Sequence, residues 1–455
     1  MTIRTLIVLI WLTIPLSVGL SQPKLPRQGF FGAQFEPEEK STSVGVKLIR
    51  ILPDSSAKAA GFQVGDVIHS IDEIDVPDNA AFLRLLGEKC GGDEVKIGFL
   101  REGEKKAVQV VLKDRPKEKG DGYEVIYGSF KNGDFRQRTI LTRPPGDGPF
   151  PAVLLLQGGQ TCFPVDDPFG RPIGFVRIAQ HFAKNGFVTM RVERPGCGDS
   201  EGGPLRLIDF DTELAGNIAA LRKLKGLDFV DENRTGIYGL SMGGIMAPLV
   251  VAEESAAAII VYGTTCINWV EGVVAQRRRL MELKGNTPAE INSELPSHIQ
   301  FWTNLVIDKK SAREIAEAEK VPDSIVLDLW LDEHFSVAGR PSIFYQQIGA
   351  RNLISAWKEL GERPDCPRVF TIKGEFDWHV SVPVSTTWIV DAVNQGTPNR
   401  AESKIVPGLD HFSNRVESAR ESYQVLYGDR KGEGRFDPEI LEIMQEWLAE
   451  ALVEE

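Results

Sequence analysis

The stretch that most constrains this chain is Thr235–Ile245, T-G-I-Y-G-L-S-M-G-G-I, with Gly239-Leu240-Ser241-Met242-Gly243 at its centre. Arg234–Gly239 reads as a short β run, and Gly243–Ala252 reads as an apolar helix. A strand that turns at once into a helix crowds any Cβ beside the turn, so a glycine two residues before and two after the serine permits it. A serine at that apex is uncovered, and the next N–H, that of Met242, opens a helix whose dipole favours an anion. A serine hydroxyl is a poor nucleophile and needs this exposure, together with a base and oxyanion donors.

The remaining composition sets limits. The chain has 455 residues, 42% hydrophobic and 25% charged, which suits two or three globular domains. A formal net charge of −12 argues against nucleic-acid partners, whose phosphates need a positive footprint. Residues 1–21 read as a secretory signal: Arg4 supplies the positive start, Leu6–Leu16 the apolar core, and Gly19-Leu20-Ser21 a small-residue site for cleavage before Gln22. The alternative is an N-terminal membrane anchor, for which the apolar run is short. The expected location is therefore secreted or periplasmic, with no integral membrane association after cleavage. Of the five cysteines, no two have C-x-x-C spacing. One disulfide among Cys162, Cys197 and Cys266 suits an oxidising compartment, but buried thiols are the plainer expectation.

Residues 29–114 form the first module. Ser56–Gly61 reads as a short helix closed by glycine, Val64–Ile71 as a turn and strand, and Asp78–Gly87 as a second helix. The run I-L-P-D-S-S-A-K-A-A-G-F-Q-V-G-D-V-I-H-S-I-D closely resembles PDZ domains. The resemblance implies a groove for a peptide C-terminus, with Phe30, Phe31, Gly32 and Ala33 as the carboxylate-binding loop and Ala81, Phe82 and Leu85 on the opposite wall. Residues 115–122 carry charge, proline and glycine without an apolar period, which is a linker signature.

The second domain spans 123–455. A hairpin turns at Asn132-Gly133, and Ala152–Leu156 is a buried-type strand running into Gln157-Gly158-Gly159-Gln160. Strands then alternate with helices, which predicts an α/β fold with a doubly wound, mostly parallel sheet. Residues 264–355 change to amphipathic helices with Trp269, Trp302, Trp330 and Phe344. The aromatics could line an acyl pocket, but each tryptophan is read first as core; Arg277-Arg278-Arg279 is read as a solvated face, with contact to a substrate anion as the alternative. Gly374-Glu375-Phe376-Asp377-Trp378-His379-Val380 follows one late strand, and Gly408-Leu409-Asp410-His411-Phe412 follows the last.

These motifs, in the order Ser241, Asp377, His411, resemble the α/β-hydrolase superfamily, and in particular dienelactone-hydrolase and prolyl-oligopeptidase-like esterases. The resemblance covers about Gly122 to the C-terminus. It implies Ser241 as nucleophile, His411 as base, Asp377 as its orienting acid, and a helical cap at 264–355. It also implies an oxyanion hole from the Met242 N–H and that of Gly159 or Gln160. Gln157 stands where such loops usually carry His. Arg194-Pro195-Gly196-Cys197-Gly198-Asp199-Ser200 resembles the turn after the fourth strand, with a structural role. His379 is expected at the rim. The implied chemistry is ester hydrolysis through an acyl-serine, with a small-molecule ester or acyl substrate and neither metal nor organic cofactor. A serine peptidase, a thioesterase or acyltransferase, and a non-catalytic PDZ binding protein are the alternatives.

Overall fold

A computed structural model describes residues 25–37, 45–171, 173–318, 321–322, 325–326, 329–380 and 385–452. The expected signal lies outside the described residues. The first module holds β1 (Gly29–Phe30), β2 (Ala33–Phe35), β3 (Val46–Ile51), α1 (Ser56–Ala59), β4 (Val67–Ile71), β5 (Ile74–Asp75), α2 (Asn79–Gly87), β6 (Glu94–Arg101), β7 (Glu104–Val111) and β8 (Lys113–Asp114). One sheet runs β2-β3-β4-β6-β7, with β5 against β4, and β1 pairs separately with β8. Ser55 and Asp78 cap the two helices by accepting from the Lys58 and Ala81 N–H groups. Alternation along β3 and β6 turns Val46, Leu48, Val95 and Ile97 into a core completed by Phe31, Phe62 and Phe82.

The second domain begins with the hairpin β9 (Glu124–Asn132) and β10 (Phe135–Arg143), followed by β11 (Phe150–Leu156), α3 (Gly174–Lys184), β12 (Val188–Val192), α4 (Phe210–Lys225), β13 (Val230–Leu240), α5 (Met242–Glu253) and β14 (Ala258–Tyr262). The insertion carries α6 (Trp269–Lys284), α7 (Pro288–Trp302), α8 (Ala312–Ala318) and α9 (Ser342–Gly349). After it come α10 (Leu353–Gly361), β15 (Arg368–Gly374), α11 (Ser385–Gly396), β16 (Ala401–Val406), α12 (Ala419–Leu426) and α13 (Glu439–Leu452). The sheet order is β9-β10-β12-β11-β13-β14-β15-β16. Only the β9–β10 and β10–β12 pairings are antiparallel.

Strands β11 and β14 read as unbroken apolar runs because both faces of the sheet are covered there. Helices α4, α5, α10 and α11 share one core with the sheet, and α3 and α13 share the other. This is the α/β-hydrolase fold, with the crossing between β11 and β13 setting the elbow at the carboxyl edge of the sheet.

Several expectations need correction. The helical insertion ends at Gly349, because Leu353–Gly361 packs on α5 and α11 beneath the sheet edge. Trp269 and Trp302 join the insertion's core around Tyr345, but Trp330 is 62% exposed. Arg277 is buried and pairs with Glu294 across α6 and α7, so the arginine triplet is not a wholly solvated face. Residues 115–122 are not a free tether either. Glu118 is buried against Arg191 at 2.8 Å, and Arg115 reaches Asp166 at 2.8 Å. Arg27 donates to Asp199 at 2.5 Å, and Arg138 reaches the same oxygen at 3.0 Å. Charges that read as linker solvation therefore meet partners far away in sequence and dock the two domains.

Candidate active site

The turn at Ser241 has φ 51° and ψ −110°, a region that a residue with a Cβ seldom occupies and that costs about 1–3 kcal/mol. It persists because its neighbours over-determine it. The Ser241 N–H donates to Tyr262 O at 2.9 Å, and Thr264 Oγ1 donates to Ser241 O at 3.0 Å. A Cβ on Gly239 would lie 2.6 Å from Gly243 O, and one on Gly243 would lie 2.3 Å from Leu156 O. Both glycines are thus steric requirements of the elbow. Met242 is the first residue of α5, so its N–H has no intrahelical partner.

The His411 loop leaves β16 and is fixed by a carboxylate that sequence reasoning did not single out. Buried Asp410 accepts from the N–H groups of Phe412 and Asn414, each at 2.9 Å, and from Ser422 Oγ at 3.0 Å. Its carbonyl accepts from Tyr262 Oη at 2.6 Å. His411 Nδ1 lies 2.9 Å from Asp377 Oδ2. Since an ionised carboxylate can only accept, Nδ1 carries the proton and Nε2 is left as the basic nitrogen. Asp377 Oδ1 takes the N–H groups of His379 and Val380 at 3.0 and 3.1 Å. Burial alone would raise the Asp377 pKa, but the pull and hydrogen bond of His411 outweigh it and hold the carboxyl at about 2. A Cβ on Gly263, at φ +56°, would lie 2.8 Å from both Asp377 Oδ2 and His411 Nδ1, so the chain after β14 leaves room for this pair.

His379 is not a simple rim residue. Its ring stacks on His411 with centroids 4.6 Å apart, and its Nε2 lies 3.2 Å from Tyr427 Oη. Burial and then the neighbouring His411 push its pKa down to about 3, so it is neutral at ordinary pH. One potential ligand atom from each of Asp377, His379 and His411 lies within 4.8 Å of the others. The Asp377–His411 hydrogen bond already engages two of the three.

Ser241, Met242, Gly159, Gln160, His379 and His411 all line one cavity of about 500 Å³. Asp377 lies behind His411, fully buried. Phe163, Ile178, Ile267, Trp269, Trp330 and Phe436 give the cavity its apolar walls, and no Asp, Glu, Lys or Arg lines it among the described residues. The exposure of Trp330 follows from this placement. Cys162 and Cys197 form a disulfide that joins the segment after Gln160 to the turn after β12, while Cys90, Cys266 and Cys366 are free. Buried thiols were therefore the wrong expectation for that pair, whose partners approach only when β11 and β12 align.

In the first module, the Phe30, Phe31 and Gly32 carbonyls are tied inward, to Ser56 Oγ at 2.6 Å and to the Ala57 and Leu52 N–H groups at 2.9 Å each. Among the described residues the Phe31 and Gly32 N–H groups have no protein acceptor. Ala33 opens β2, one of the two edge strands of the sheet. Phe82 is fully buried on Phe31 and Phe35 and belongs to the core rather than to an open groove wall.

Residues 29–112 match the PDZ domain family, so the chain carries a PDZ domain followed by a domain of α/β-hydrolase fold. The chain is 27% identical over 133 residues to the quorum-quenching protein AidA of Acinetobacter baumannii (strain MDR-ZJ06), covering 29% of this chain and 41% of that one. It is 27% identical over 172 residues to a probable periplasmic serine endoprotease DegP-like of Pseudomonas fulva (strain 12-X), covering 33% and 36%. The chain thus spans well under half the length of these curated relatives. Among solved structures, it resembles the alpha/beta hydrolase GrgF of Penicillium sp. sh18 at 18% identity and TM-score 0.44, covering 72% of this chain and 99% of that one. It also resembles Est1E of Butyrivibrio proteoclasticus with bound ferulic acid, at 15% identity and TM-score 0.43, covering 72% and 100%.

Proposed function

We propose that this chain is an exported serine hydrolase that cleaves esters of uncharged, hydrophobic acyl groups. The observation that carries this reading is a serine held at φ 51° on the wall of an apolar cavity that it shares with His411, itself hydrogen-bonded to Asp377. Ser241 Oγ attacks the acyl carbon while His411 Nε2 takes its proton, and Asp377 stabilises the imidazolium. The Met242 N–H and the N–H of Gly159 or Gln160 receive the oxyanion. Collapse breaks the bond to the alkoxide, which leaves with the proton from His411. Water activated by the same nitrogen then releases the acid and regenerates Ser241.

The cavity favours an ester over a peptide bearing a free terminus. A buried ammonium or carboxylate needs a paired charge, and the walls offer none among the described residues. The Phe30–Ala33 loop would bind a peptide C-terminus through outward N–H groups beside an edge strand. Export is supported by the signal-like first residues, by the disulfide, and by the periplasmic names of some relatives. No helix among the described residues is long and apolar enough to cross a membrane.

The experiment is intact-protein mass after fluorophosphonate treatment, then hydrolysis of p-nitrophenyl acyl esters against aminoacyl and peptidyl amides. One adduct on the wild type, absent from Ser241→Ala and formed far more slowly on His411→Ala, is expected, with esters preferred. Amides cleaved faster than esters would replace this reading with a peptidase. A folded wild type that takes no adduct would leave the PDZ module as the working part.

A further inference from the structure

Between β11 and the disulfide, the chain segment 157–161 makes an unusual set of contacts. The carbonyls of five consecutive residues all accept from guanidinium groups. Arg194 Nη2 donates to Gln157 O at 3.3 Å, Gly158 O at 3.0 Å and Gly159 O at 2.9 Å, and its Nη1 donates to Thr161 O at 2.7 Å. Arg340 Nε donates to Gln160 O at 2.6 Å. Both arginines are buried, and both converge on buried Glu213: Arg194 Nε lies 2.7 Å from Oε1, and Arg340 Nη2 bonds Oε2. Burial would raise the Glu213 pKa, yet the two guanidiniums hold it below the ordinary carboxylate range, so the charge at the hub persists.

A trans peptide points its carbonyl and the following N–H in opposite directions. Carbonyls of Gly158 and Gly159 fixed on Arg194 therefore turn the Gly159 and Gln160 N–H groups away from it, and both residues line the cavity. Arg340 holds the next peptide through Gln160 O and braces Arg194 through Glu213. Among the described residues neither N–H has a protein acceptor. We propose that Arg194, Glu213 and Arg340 are positioning residues that set the oxyanion loop, with the helical cap supplying one of the three. Arg340 precedes α9 in the insertion, stacks over Phe344 at 4.4 Å, and crosses to Gln160 from the far side of the cavity wall. The loop is thus completed only when the cap is seated. This inference rests on the acyl-transfer reading of Ser241.

The test compares wild type, Arg340→Lys and Arg340→Met, with Glu213→Gln as a near-isosteric change at the hub. Rates are expressed per Ser241 titrated by fluorophosphonate, so that misfolded protein is not counted. Arg340→Met is expected to lower kcat about 10²-fold with KM within about twofold, because ground-state binding lies in the apolar walls. Arg340→Lys, which can still donate to Gln160 O, is expected to recover part of that loss. A p-nitrophenyl ester and its thionoester separate positioning from mere stability. Thiocarbonyl sulfur fits an oxyanion hole poorly, so the wild type should prefer the oxygen ester strongly and Arg340→Met should lose most of that preference.

An unchanged kcat per titrated serine, or an unchanged ester to thionoester ratio in Arg340→Met, overturns the clamp. A wild type that titrates normally shows that only the clamp has failed. A wild type with no titratable serine removes the acyl-transfer reading and the clamp with it.

Discussion

Two loops in this molecule use the same backbone device in different surroundings. Gln157–Thr161 and Phe30–Gly32 both tie consecutive carbonyls inward and turn N–H groups outward. The first is held by two charged guanidiniums on a buried carboxylate, and it faces an apolar cavity shared with Ser241 and His411. The second is held by one hydroxyl and two peptide N–H groups beside an open strand edge. A row of free N–H groups attracts an anion in either place. On the proposed acyl transfer, Ser241 and His411 beside the first suit it to a charge that develops during reaction. A strand edge beside the second suits it to a carboxylate that is already present.

The largest expected break in this comparison is at the acid. Asp377→Asn keeps the volume but lets the wrong tautomer of His411 form, so kcat should fall about 10⁴-fold with little change in KM. The same variant carries a pH signature. The Asp377 carboxyl is held at about 2 when folded and titrates near ~3.9 when unfolded, so it contributes stability above pH about 4 that is lost as the pH falls toward 2. Thermal unfolding followed from pH 6 down to 2 should show a steeper acid loss in the wild type than in Asp377→Asn. Parallel curves would mean that the carboxylate is not engaged with His411.

That pair was legible because each member follows a strand end with a distinctive glycine, and because the histidines are few enough to choose among. The elbow was legible for a steric reason, since the Cβ contacts at Gly239 and Gly243 leave no other residue there. The supports were not legible. Arg340 lies 180 residues from Gln160, and Glu213 lies 127 from Arg340. Nothing local distinguishes such charges from solvated ones, and the same holds for Glu118, Arg277 and Arg115. Asp410 could have been found, because an acidic residue directly before His411, with Ser413-Asn414 just beyond, has the composition of a side-chain-stabilised turn. Trp330 could not, because a tryptophan among helices reads the same in a core and on a cavity wall.

Removing the disulfide is the next largest perturbation, and it separates covalent from ionic support of the 157–161 loop. With Cys162→Ser/Cys197→Ser, global stability should fall by about 2–4 kcal/mol, measured by denaturant unfolding. The kcat per titrated serine should fall less than tenfold, since Arg194 and Arg340 together still hold all five carbonyls. A larger loss would mean that the bridge rather than the guanidinium sets the loop.

The second loop has its own breaking point. Gly32 sits at φ +76°, and a Cβ there would lie 2.3 Å from Ser55 Cβ. Gly32→Val should cost about 1–3 kcal/mol in the PDZ module and abolish binding of a hydrophobic C-terminal peptide, read by calorimetry against the same peptide amidated at its end. Equal binding of the acid and the amide by wild type would remove the carboxylate role from this loop.

The smallest expected effect lies where the two regions touch. The Phe30 ring packs on Phe169 at 5.6 Å, and Phe169 belongs to the same segment as Phe163 on the cavity wall. Phe169 is 49% exposed, so Phe169→Ala should cost only about 0.5–1.5 kcal/mol. The buried Arg27–Asp199 pair and the half-buried Arg115–Asp166 pair keep the domains docked without it. Ester hydrolysis should stay within about twofold in the absence of peptide. The informative measurement is the same assay with saturating C-terminal peptide. If wild type and Phe169→Ala respond alike, the two loops work independently despite their contact. If the peptide changes the wild-type rate and the variant ignores it, then the segment from Phe163 to Phe169 couples the Phe30–Ala33 loop to the cavity.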